Sequence, residues 1–218
     1  MGPEITRDRL MTIEAWLAFV VASAVLVLIP GPAVILTISY ALRGGRSTGW
    51  GSVPGVVAGA FVAMSLSLLG AGAVVATSAT LFSLLKLAGA AYLIWLAYQL
   101  WTSPVTEIEA GVEPNGASTR SIFFRAFLVN VLNPKGPVFY MAFVPQFVSA
   151  DSPVFPQFAI LVATFLVVAA INGVMWVLFA STLRPILAKP RALKAVNRTG
   201  ATCMFVAGVA TASASRSS

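Results

Sequence analysis

Long apolar runs, nearly free of charge, occupy this chain from Ile13 to Ala214 and dictate the solvent in which it can fold. All seven acidic residues, Glu4, Asp8, Glu14, Glu107, Glu109, Glu113 and Asp151, fall in tails or loops. Hydrophobic residues fill 58% of the 218 positions and charged ones only 10%. Soluble domains carry about 25% charged residues, so these runs call for lipid rather than water. A spanning helix takes about 20 mostly apolar residues. On that measure the sequence predicts six spans, at about 13–42, 51–76, 81–101, 122–148, 156–181 and 197–214.

The expected fold is therefore an all-α integral membrane protein forming one membrane domain. A polar tail (1–12) precedes a first three-helix half (13–101), a cytoplasmic linker (102–121) and a second three-helix half (122–214). Met1 to Leu10 carry no signal-peptide pattern, and Met11 is an alternative start. The sixth span is short and alanine-rich, the weakest of the set. In the second span, Gly55 and Gly59 have the four-residue spacing that lets helices approach closely in lipid. Tyr92, Trp95, Tyr98 and Trp101 end the third span with an aromatic set suited to a membrane interface.

Two spans are interrupted alike. Val27-Leu28-Ile29-Pro30-Gly31-Pro32 breaks the first, and Val131-Leu132-Asn133-Pro134-Lys135-Gly136-Pro137 the fourth. Lys86-Leu87-Ala88-Gly89-Ala90 and Asn197-Arg198-Thr199-Gly200-Ala201 echo each other more faintly. Three spans per half would make the halves inverted repeats, the plan of many secondary transporters. A proline removes an N–H and clashes with the carbonyl four residues back. The freed carbonyls in hydrocarbon then need protein, water or a ligand. A half-helix starting after Pro32 or Pro137 would turn the partial positive charge of its N-terminus into the membrane. A kink or an ordinary loop between short helices is the plain alternative for either break alone.

Basic residues give the orientation. Arg43, Arg46, Arg120, Arg125, Arg184, Lys189, Arg191, Lys194 and Arg198 fall on the side holding the loops after spans one, three and five. That side should face the cytoplasm, with both termini outside. The net charge of +7 then reports cytoplasmic loops and anionic lipid rather than nucleic acid. No histidine is present and Cys203 is the only cysteine. An intramolecular disulfide, a dithiol electron shuttle and a Cys/His metal cluster are excluded. No catalytic nucleophile and base appear, so no enzyme is expected, and no cofactor.

Several stretches are similar to the LysE/RhtB family of amino-acid exporters. They are Pro30-Gly31-Pro32, the Arg43–Arg46 turn, Lys86-x-x-Gly89-Ala90-x-Tyr92-Leu93, and Asn133-Pro134-Lys135 followed by Phe139-x-x-Ala142-Phe143-x-Pro145-Gln146-Phe147. The resemblance runs from about Thr12 to Gly208 and departs at the thin sixth span. It implies efflux of amino acids or close derivatives across the cell inner membrane, driven by the proton gradient as an antiporter.

With no carboxylate clearly inside a span, a cationic substrate would lack a counter-charge, so a neutral one is expected. Its carboxylate would lie near Lys135 and the half-helix ends, and its ammonium on freed carbonyls. The candidate substrate-binding residues are Pro30, Gly31, Pro32, Asn133, Pro134, Lys135, Gly136, Pro137 and Asn172. Asn172 has a second reading, as a hydrogen-bonding tie between helices. Lys135 sits too deep to snorkel easily, and it or Glu14 would have to exchange protons. A channel or facilitator, a non-transporting scaffold and a homo-oligomer stay open.

Overall fold

The computed structural model describes residues 11–29, 31–77, 79–102, 118–133, 135–148, 152–187 and 190–214. Residues 1–10 of the expected tail, most of the linker (103–117), and Pro30, Pro134, Asp151 and Lys189 lie outside the described residues. Eight α-helices follow in order among them: α1 (Ile13–Leu28), α2 (Pro32–Arg43), α3 (Gly45–Thr77), α4 (Ala79–Thr102), α5 (Thr119–Val131), α6 (Lys135–Phe143), α7 (Val154–Leu187) and α8 (Pro190–Ala214). A short 3-10 turn, Val144–Phe147, continues α6.

Gly45–Gly70 of α3 and Val154–Ala180 of α7 are each long and apolar enough to cross a bilayer. The 16 residues of α1 and the 12 of α2 fall short singly. Together they suffice, their axes bent by 58°. The 13-residue α5 and nine-residue α6 are likewise too short to cross alone.

Helix ends depart from the sequence expectation where charge suggested loops. The turn expected at 43–48 shrinks to Gly44: α2 ends at Arg43 and α3 starts at Gly45, which takes φ 77°. That left-handed conformation favours glycine and lets the chain reverse in one residue. The basic stretch expected between spans five and six is largely helical. α7 runs on to Leu187 and α8 starts at Pro190, earlier than the expected 197. Arginine and lysine are good helix formers, so a basic run marks a solvated helix end as readily as a loop.

Small residues set the packing. A Cβ added at Gly55 would run into the Phe123 carbonyl oxygen, and one at Gly59 would meet the Phe127 carbonyl oxygen at 2.8 Å. The paired glycines therefore let α3 lie directly on the α5 backbone. Gly208 plays the same part for α8, where a Cβ would sit 3.0 Å from the Ala90 carbonyl oxygen. α8, which contains the stretch expected as a sixth span, thus packs on α4, and Arg198 adds its guanidinium 5.1 Å from the Trp101 ring centre. Trp95, Tyr98 and Trp101 are exposed along α4. On the perimeter, the Trp16 indole N–H donates to Thr164 Oγ1 at 3.0 Å and joins α1 to α7.

Candidate functional site

The two helix breaks meet. Around the first, Ile29 and Gly31 are both extended (φ −67°, ψ 117° and φ −111°, ψ −177°), so the helical ladder stops and restarts. Around the second, the Leu132 N–H still bonds to the Leu128 carbonyl, and the Asn133 N–H turns back to Asn130. The nearest atom to a Cβ built on Gly31 would be Asn133 Nδ2, 4.0 Å away.

A cavity of about 90 Å³ lies at this junction. Leu26, Val27, Ile29 and Gly31 of the first break and Asn130, Asn133, Gly136 and Tyr140 of the second line it. Ala33, Val34 and Thr37 of α2 add a wall, and α7 contributes Phe165, Ala169, Asn172, Gly173 and Trp176. No described residue lining it carries a charge. Pro32 occupies the first position of α2, so the amides of Ala33 and Val34 are next in line at that helix N-terminus. These residues line the cavity, where the N-terminal end of a helix favours negative charge.

Of the nine residues expected from sequence, Gly31, Asn133, Gly136 and Asn172 come together here, while Pro32 and Pro137 are not part of the lining. Pro30 and Pro134 lie outside the described residues; the backbone of Lys135 opens α6, and its side chain is likewise outside the description.

Asn172 makes the tie between helices that the sequence offered as one of its two readings. Its Nδ2 donates to the Val27 carbonyl at 3.0 Å, satisfying a carbonyl in the last turn of α1. That carbonyl is therefore held by protein, which removes it from the set expected to await a ligand's ammonium. The same bond fixes which end of the amide faces which way. Asn172 Oδ1 is buried with no hydrogen-bond partner. One turn later on the same face, the Trp176 indole N–H is also buried and unpartnered. An orphaned buried donor or acceptor costs about 1–3 kcal/mol, so this acceptor and this donor are the groups at the cavity most in need of a partner. Asn130 Nδ2, by contrast, has a partner, the Val56 carbonyl at 2.8 Å.

Trp176, Tyr140, Asn130 and Thr37 were not anticipated. An aromatic at helical spacing reads as packing, and Asn130 precedes the break it braces. Only the four-residue spacing of Asn172 and Trp176 offered a signal.

Past the junction the surroundings diverge. Along α2, Thr37 donates to the Ala33 carbonyl (3.0 Å) and Ser52 of α3 donates to Thr37 Oγ1 (3.2 Å). Along α6, Phe139, Phe143 and Phe147 stack in sequence, with centres 4.7 and 4.9 Å apart, and Phe147 meets Phe19 of α1 at 5.3 Å. Tyr140 packs edge-on to Phe165 at 5.0 Å.

The family model described as "LysE type translocator" matches residues 24–215. A homoserine/homoserine lactone efflux protein of Salmonella typhi is 33% identical over 94% of this chain and 98% of its own length. An uncharacterized membrane protein of Vibrio cholerae is 33% identical over 86% of this chain and 91% of its own. A leucine efflux protein of Klebsiella pneumoniae is 28% identical over 63% of this chain and 65% of its own. No solved structure matches.

Proposed function

The chain belongs to the LysE family of translocators, and from that premise we propose that it exports net-neutral amino acids or their close derivatives across the cell inner membrane. The observation that carries this reading is the uncharged cavity between the two breaks, with one unpaired acceptor and one unpaired donor on α7. A zwitterion presents the complementary set. Its ammonium donates to Asn172 Oδ1, while its carboxylate accepts from the Trp176 N–H and lies near the N-terminus of α2. Lys135 reinforces the carboxylate side. A lactone is net neutral with its amine unprotonated; an amine N–H then donates to Asn172 Oδ1 and the lactone carbonyl oxygen accepts from the Trp176 N–H. A substrate with an extra positive charge would find no counter-charge among the described lining residues, and its desolvation would go uncompensated.

The two halves, α1–α4 and α5–α8, act as inverted repeats that rock about this junction, with both termini outside the cytoplasm. The proton gradient drives export by antiport, with Lys135 exchanging the proton. Efflux from cells preloaded with a labelled panel of homoserine, leucine, threonine, lysine and arginine tests the reading. Homoserine or leucine should leave fastest, and a protonophore should stop uphill export. Fastest export of lysine or arginine would refute net neutrality. Export that survives the protonophore unchanged would make the protein a facilitator.

A further inference from the structure

A second cavity of about 340 Å³ adjoins the first. It lies between α1, α4, α6 and α8, and its lining is apolar apart from Thr202 and Cys203 of α8. Leu93, Phe139, Phe143 and Met204 make up most of its depth, and the exposed Val206 belongs to its rim. Leu26 and Ile29 line both cavities, so the partition between them is two aliphatic side chains at the end of α1. Ile29 sits in the extended segment of the break, where a change of backbone angle swings its side chain.

Size makes the two spaces complementary. The polar cavity, at about 90 Å³, has room for roughly three waters, comparable to the ammonium, α-carbon and carboxylate of an amino acid. It falls below the roughly 300 Å³ at which small-molecule sites begin. The apolar one reaches that range but holds almost nothing to fix a charged headgroup.

We propose that the apolar cavity is the side-chain subsite of the transported molecule, entered past Leu26 and Ile29, and that it selects unbranched or branched aliphatic side chains. This rests on the export reading above, with the headgroup held at Asn172 and Trp176. Each methylene entering an apolar subsite should tighten binding by roughly three- to fourfold.

The test is competition against homoserine counterflow in vesicles of phosphatidylethanolamine and phosphatidylglycerol, using alanine, aminobutyrate, norvaline and norleucine. Inhibition by the wild type should rise stepwise along the series. A flat or falling series overturns the proposal, whether because a bilayer acyl chain fills the cavity or because side chains stay outside it. The Cys203→Phe variant narrows the subsite and should flatten the series beyond aminobutyrate. An unchanged slope in that variant places the side chain elsewhere and also overturns the proposal. Should the variant fail to insert, the wild-type series decides alone. If the wild type shows no counterflow, the export reading fails by itself. Thermal stabilisation of the purified protein by norleucine over alanine would still support the subsite, and equal stabilisation would overturn it.

Discussion

The two arms that leave the central junction are built from opposite materials. The α2 arm is small and hydroxyl-rich: Thr37, Ser39 and Ser52 are buried, and each donates to an oxygen within α2 or α3. The α6 arm is aromatic, its Phe139–Phe143–Phe147 stack continuing to Phe19. Hydroxyls bonded to their own helix can exchange partners with a passing polar group at little net change. Interlocked rings must separate before anything passes. The contrast makes the α6 arm the firmer barrier and the α2 arm the more permissive route. α7 bridges both, with Phe165 against the aromatic arm and Trp176 packed on the cluster that Ile38 of the hydroxyl arm forms with Ala180.

The sharpest way to break the comparison is at the start of the α6 arm. Lys135 is the one ionisable residue within either break, and the first break has no counterpart. If Lys135 pairs with the substrate carboxylate, removing it loses about 2–5 kcal/mol, roughly thirtyfold or more in binding. Lys135→Met should therefore abolish efflux while leaving membrane insertion intact. Normal efflux from cells carrying the variant would show the two breaks to be functionally alike.

Stability should separate the arms next. Phe143 is buried at the middle of the stack, so Phe143→Ala leaves a cavity that its neighbours fill only in part. About 3 kcal/mol of unfolding free energy should be lost. Ser52→Ala in the other arm removes only the 3.2 Å bond to Thr37 and its bond to the Gly49 carbonyl. Side-chain hydrogen bonds between membrane helices are worth about 0.6 kcal/mol, so its unfolding curve in detergent should shift little. Comparable shifts in the two variants would remove the distinction between a rigid and a permissive arm.

The sequence made much of this plan legible, because each legible part had a backbone cause. Prolines mark the breaks by deleting donors, and Gly55 and Gly59 mark the α3–α5 contact by lacking a Cβ. The arms were harder to see. Phe139, Phe143 and Phe147 stood in the sequence only as part of the stretch resembling the exporter family, and it is the turn at Val144–Phe147 that brings Phe147 beside Phe19 of another helix. The extension of α7 through Arg184 and Pro185 was masked by its charge. Asn172 was legible as polar and within a span, but its bond depends on where the first break leaves the Val27 carbonyl, which only the tertiary arrangement determines.

The smallest expected effect is also the most discriminating. Trp176→Phe keeps a ring packed against the α2 arm and deletes only the unpartnered indole N–H. If that donor serves the substrate carboxylate, the variant should raise the KM for homoserine by roughly tenfold, the lower end of the worth of a hydrogen bond to a charged group. The folded protein should be no less stable, because the lost group has no bond to break and its burial was unfavourable. Loss of stability without a change in KM would mean that the indole only packs. The export site would then depend on Asn172 and Lys135, and the α2 arm would contribute shape rather than recognition.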